Sequence, residues 1–175
     1  TVVARVDTVR AEAGFSAPCI LPDGKGLALS VIYEDDSWGF IVRDREGTSH
    51  PLSERWKDAG DRFQGGLSYS PSGHLIHEFN DGIRAVPISL ANLSSAGMPF
   101  LVAQNGEDPS VGQDGTLVYL QDANEQTQTQ MVRVSRNGQV AETIGQPQRG
   151  LGTPSISPDG RLVTAHGRII AGIDS

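Results

Sequence analysis

The sequence predicts an all-β fold, a β-propeller or a section of one, with four visible blades of four-stranded antiparallel sheet. Three observations carry this. A tight turn recurs as Pro22-Asp23-Gly24, Pro71-Ser72-Gly73, Gln113-Asp114-Gly115 and Pro158-Asp159-Gly160, its glycines roughly 42 to 49 residues apart, and such a period marks one supersecondary unit used repeatedly. Each turn is followed by a short apolar run, and no stretch has the pattern of a long helix. The 21 Gly and 10 Pro among 175 residues, with few aromatics, fit many short strands joined by tight turns.

The elements follow in order. Inner strands enter the turns over Ala17 to Leu21, Leu67 to Ser70, Pro109 to Gly112 and Pro154 to Ser157. In Ser157-Pro158-Asp159-Gly160 proline presets the first central position, aspartate bonds nearby amides, and glycine takes the left-handed conformation that closes the hairpin. The apolar runs Leu27 to Tyr33, Leu75 to Phe79, Leu117 to Leu120 and Leu162 to Ala165 suit second strands covered on both faces, as stacking on neighbouring blades provides. Third strands are expected at Trp38 to Arg43, Ile83 to Ile88, Gln130 to Ser135 and Arg168 to Ile173, with Val132 and Val134 facing away from a wetter side that carries Met131, Arg133 and Ser135. Pro87 demands a place near a sheet edge. Fourth strands are expected at Pro99 to Ala103 and Val140 to Ile144.

The repeats are set at 11–60, 61–104, 105–148 and 149–175, within a single domain. Two readings account for four repeats. In one, Val2 to Val9 supplies the missing outer strand of the last blade and closes a four-bladed ring; in the other, the chain is a section of a larger propeller, or half of a ring completed by a second copy, and its open blade faces self-associate.

A net charge of −7, with scattered Lys and Arg, excludes sequence-independent nucleic-acid binding. No stretch has the length of apolar residues that a membrane span needs, so no membrane insertion is expected. The first ten residues lack the apolar centre of a secretion signal, while a start at Thr1 leaves room for a targeting segment removed upstream, so cytoplasmic and extracytoplasmic locations both fit. Cys19 rules out an internal disulfide and reads as a small buried hydrophobe.

Gly152 to Val163, with its Ser-Pro-Asp-Gly turn, resembles the WD-like propeller repeat of the TolB family. Val111 to Tyr119 followed by Val132 to Gly138 is similar to the propeller tails of bacterial serine/threonine protein kinases. The resemblance implies a propeller of about six blades or more, found both in stand-alone binding proteins and ahead of prolyl-oligopeptidase-type catalytic domains. This chain departs from it at Ser72, where aspartate is expected, and at Gln113, where proline is expected.

Motifs for catalysis are missing. Gly66-Leu67-Ser68-Tyr69-Ser70 comes nearest to a nucleophile elbow but lacks the closing glycine, and no kinase signature is present. His74 and His77 are directed to opposite faces by strand geometry, which excludes joint chelation. Glu34-Asp35-Asp36 lacks the spacing and glycine of a calcium loop, while Asp81-Gly82 and Asp108-Pro109 read as turn chemistry. No catalytic residue, metal site or cofactor is therefore assigned. Trp38 is expected in blade packing.

In propellers of this connectivity the loops entering the inner strands and those joining second to third strands share one face. There the sequence places the candidate partner-binding residues Glu34, Asp35, Asp36, Arg62, Phe63, Asn105, Glu107, Arg149 and His166, with Gln148 beside them. A polar set with few aromatics suits docking of a protein or peptide better than a closed small-molecule pocket. The function expected is a non-catalytic interaction or sensor module of a larger bacterial polypeptide. The alternative is a propeller-based hydrolase or lactonase, or the gating propeller of a prolyl-oligopeptidase-type enzyme.

Overall fold

A computed structural model of the chain describes residues 4–57, 66–124, 128–135 and 138–167. Strands dominate. The first sheet comprises β1 (Glu12–Ile20), β2 (Leu27–Tyr33), β3 (Trp38–Arg43) and β4 (Ser49–Pro51), paired in that order and all antiparallel. The second comprises β5 (Ser68–Ser70), β6 (His74–Phe79), β7 (Gly82–Ser89), β8 (Ser94–Ser95) and β9 (Phe100–Gln104). The third is the meander β10 (Gly106–Val111), β11 (Leu117–Asn124), β12 (Gln128–Val134) and β13 (Val140–Gln148). The fourth shows β14 (Gly152–Ile156) paired with β15 (Val163–His166), and the third strand expected from Arg168 lies outside the described residues.

The repeated turns form as their residues dictate. Asp159 accepts the Arg161 amide at 3.2 Å and the Ser157 hydroxyl at 2.6 Å, and Gly160 sits at φ +71 with the Asp114 carboxylate where a Cβ would stand. In the third turn Asp114 accepts from the Thr116 amide at 2.9 Å and its hydroxyl at 2.8 Å. The Gln113 amide donates to the Pro158 carbonyl at 3.1 Å, so neighbouring turns are tied together.

The predicted second and third strands of the first sheet match the observed limits, and their continuous hydrophobicity has a visible cause. Ala28, Trp38, Phe40 and Val42 turn toward the second sheet, whereas Leu29, Val31, Tyr33 and Ile41 form a separate cluster on the opposite face. Between the first two sheets lies a tight aromatic group. Trp38 stands 4.6 Å from Trp56, Phe40 4.6 Å from His77, and His77 4.9 Å from Phe79, centroid to centroid. Such pairs add about 0.5–1.5 kcal/mol each beyond the area they bury. Ile76, Ile83 and Ala85 face Leu117, Tyr119, Val132 and Val134 between the second and third sheets. Met131, expected on the wetter side of its strand, is buried.

The amino-terminal segment corrects an expectation. Within the described part of Val2 to Val9, residues 4–7 form no strand and Thr8–Arg10 make a 3-10 turn, so this stretch does not supply an outer strand to the last blade. It lies against the first sheet as a strap. Ala4 packs on the Leu29–Val31–Ile41 cluster. Arg43, buried on that face, donates to Glu12 at 2.8 Å and to the Arg5 carbonyl at 3.2 Å. The Asp7 amide donates to the same Glu12 oxygen at 2.7 Å, and the Arg55 guanidinium lies 3.5 Å over the Tyr33 ring.

Pro87 meets its constraint in an unexpected way, because its strand is internal. The Ile88 amide donates to Gly73 on the β6 side, which turns the Pro87 nitrogen to the other side. There β9 pairs with Gly82–Ala85 and β8 with Ile88–Ser89, and the Ala96 amide donates to the Pro87 carbonyl at 2.8 Å, so the proline nitrogen falls between the two short pairings, where no ladder bond is required of it.

Two tests follow from the buried charges and imidazole. Burial, with help from the Arg84 charge, lowers the His77 pKa from 6.5 to about 4, so the ring is neutral in the fold. The unfolded chain then takes up a proton first as pH falls below 6.5, and stability declines across the window from about 6.5 to about 4. Urea melts at pH 7 and pH 5 should show His77 contributing a loss of about 2 kcal/mol that His77→Phe lacks; the raised pKa of half-buried Glu78 acts in the opposite sense in both proteins and cancels in the difference. Equal pH dependence in the two proteins would overturn the assignment. Glu12→Ala strands the Arg43 charge and should cost about 3–5 kcal/mol in the same melts, with Glu12→Leu combined with Arg43→Met recovering most of it.

Candidate functional site

Antiparallel order alone divides the molecule into two faces. The four recurrent turns open on one, and the β2–β3 and β6–β7 turns, with the entries to β10 and β14, open on the other. On the latter face hydrogen bonds run from sheet to sheet. The Asn105 amide donates to the Asp81 carbonyl at 3.1 Å. The Asp108 amide donates to the Glu78 carboxylate at 2.8 Å, and the Asp108 carboxylate accepts the Thr153 amide at 2.9 Å. A continuous chain of polar contacts therefore joins the second, third and fourth sheets. Asp108 takes φ +49 to do so, beside a register shift between Glu107 and Ser110.

Electrostatics follow from this arrangement. Burial raises the Glu78 pKa, and the nearby charges of Asp108 and Glu107 act in the same direction against the Asp108 amide. The Asp81 pKa is held down first by the hydrogen bond from Arg84, whose guanidinium lies 2.6 Å away. In the β2–β3 turn Asp35 is bound by the Ser37 hydroxyl and by Lys57 at 3.0 Å, which hold its pKa well below the usual carboxylate range.

The structure brings some of the sequence-selected residues together. Asn105 and Glu107 stand at the junction of the second and third sheets. Arg149 occupies the turn between β13 and β14, and His166 pairs in register with Gly152 at the same end of the fourth sheet. Gln148 lies at that end too, its side-chain oxygen near Gly167. Glu34, Asp35 and Asp36 are exposed in the first-sheet turn, and the bonding partners of Asp35 belong to that sheet's own segment. Arg62 and Phe63 lie outside the described residues. Among the described residues, no three His, Cys, Asp or Glu side chains gather in a way that could hold a metal ion.

Sequence reasoning missed the linking role of Glu78 and Asp108. Asp108-Pro109 read as turn chemistry, and Glu78 sat inside an apolar strand; only the alternation of β6, which aims His74, Ile76 and Glu78 to one side, hinted at it. The same alternation separates the histidines. His77 lies in the aromatic group against Phe40, whereas His74 meets Phe100 on the opposite face at 5.5 Å. Trp38 is buried, as packing requires, and Trp56 is half-buried against it. Cys19 is partly buried, and burial pushes its thiol pKa up, which keeps it protonated and a poor nucleophile.

Comparison with solved structures finds three informative neighbours. TolB from Acinetobacter baumannii aligns with a TM-score of 0.67 and 17% identity, over 91% of this chain and 39% of that one. Regucalcin from Agrobacterium tumefaciens, described as a calcium-binding protein, aligns with a TM-score of 0.57 and 12% identity, over 83% and 50% respectively. Hydrazine synthase from Kuenenia stuttgartiensis gives 0.56 and 17%, over 87% and 43%. No protein-family model matches the chain, and no curated protein sequence does. The chain spans half or less of the length of each of these structures. At such identities the likeness is one of architecture, and TolB and regucalcin are both propeller folds. The sheet order, the stacking of sheets and these neighbours together make the chain an all-β protein of propeller fold.

Proposed function

We propose that this chain is a non-catalytic module that docks a protein or peptide on its loop-bearing face, as the interaction or sensor part of a larger polypeptide. The observation that carries the reading is the chain of hydrogen bonds from Glu78 through Asp108 to Thr153, which holds the loops of three sheets in one fixed surface. A surface ordered before binding loses less entropy when a partner arrives. Asn105, Glu107, Arg149 and His166 are exposed on it, and Asp36 is exposed in the first-sheet turn that opens on the same face; all supply hydrogen-bonding groups. Glu34, Asp36 and Glu107 stand exposed against the one guanidinium of Arg149 among the described residues selected from the sequence, which favours a partner segment carrying Lys or Arg. The calcium binding named for the Agrobacterium protein finds no counterpart among the described residues.

Selection of a random peptide library on the wild-type chain should enrich sequences rich in Lys and Arg. Their affinity should fall about tenfold in the double variant Asp36→Ala, Glu107→Ala, by rough analogy with close charge pairs at other interfaces, and stay unchanged in Gln113→Ala on the opposite face. The melting temperatures should remain alike. Selected peptides that bind all three proteins equally would sink the assignment of this face.

A further inference from the structure

We propose that a cleft between the second and third sheets, on the turn-bearing side, binds a small uncharged molecule with an apolar body and a single hydrogen-bonding head. The cleft measures 360 Å³, within the range of clefts that enclose small ligands. Ile76, Leu117 and Val134, members of the inter-sheet core, provide its walls, and Phe100 and Val102 of β9 extend them outward. Among the described residues that line it, none is Asp, Glu, Lys or Arg. A ligand charge buried there would lose its hydration with no opposite charge from those residues to compensate, which favours a neutral occupant.

One end of the cleft is polar, and its groups are already aligned. The Ser70 and Ser72 hydroxyls lie 2.8 Å apart, and the Ser72 hydroxyl is 3.0 Å from the His74 Nδ1. Ser70 is buried, so this relay runs from the floor of the cleft to its rim. The His74 ring is held edge-on to Phe100 at 86°, which makes imidazole and phenyl one continuous wall. Hydroxyls and an imidazole both donate and accept, so they suit an alcohol, phenol or amide head. Phe100 remains 48% exposed, apolar surface that an occupant of the cleft mouth would cover. The site is independent of the loop-bearing face and of any partner that docks there.

The probe is 4-propylphenol, followed by methyl-resolved NMR of the wild-type chain, with propylbenzene and 4-propylbenzoate as companions. Expected are intermolecular NOEs from the propyl group to the Leu117 and Val134 methyls, and none for the charged benzoate. His74→Ala should weaken the phenol about threefold to tenfold more than it weakens propylbenzene, the worth of one hydrogen bond. Phe100→Ala should weaken both. Failure of 4-propylphenol to give NOEs at Leu117 or Val134 up to its solubility limit would overturn the proposal, whatever the variants do. So would tight binding of the benzoate, or a His74→Ala protein with wild-type phenol affinity.

Discussion

The structure depends on sheets burying apolar faces against one another, and the join between the first and second sheets is its strongest instance. A single antiparallel sheet of this size offers two faces to water and has no core of its own. Stacking converts one face of each sheet into interior, with Phe40, Trp38 and Val42 meeting Leu75, His77 and Val86 across the join. An imidazole sits at the centre, and burial among the aromatic rings favours its neutral form. A polar residue has been recruited as a hydrophobic one, and the fold holds it in that state at neutral pH.

The two faces of the stack are secured by different means. On the turn-bearing side, compact turns bind within themselves and to each other, as the Gln113 amide does with Pro158. On the loop-bearing side, carboxylates reach from one sheet to the amides of the next. Asp108 spends its own amide on Glu78 and its side chain on Thr153. Apolar packing alone would let the sheets slide, since it is non-directional. These directional bonds fix how they sit, and so fix where the exposed loop residues point.

Much of the architecture was legible in the chain. Gly73, Gly115 and Gly160 adopt the positive φ that their turns implied, and β2 and β3 begin and end where their apolar runs do. What stayed hidden involves partners distant in sequence. The strap over the first sheet rests on Arg43 finding Glu12 and the Arg5 carbonyl, and no local pattern around Val6 announces that pairing. The placement of Asn105 and Glu107 at the loop-bearing end was legible from connectivity, because loop placement follows from strand order. The Glu78–Asp108 link was not, since a glutamate in an apolar strand carries no sign of which neighbour it will meet. Ser72 was read as a departure from the repeat, and its hydroxyl bond to His74 gives that departure a structural use.

Pro87 has a consequence for the life of the protein in concentrated solution. An outer strand that runs unbroken along a sheet displays a full row of amides and carbonyls, and a second chain can add to it as it would to a growing fibril. The second sheet has no such row among its described residues. Its outer margin is divided into the two-residue β8 and the five-residue β9, with a proline ring set in the interval. A template needs several successive bonds to hold a stranger in register, and this margin offers them only in short, offset runs. At this margin, Pro87 thus sets a limit on how long a run of pairing bonds the second sheet can offer.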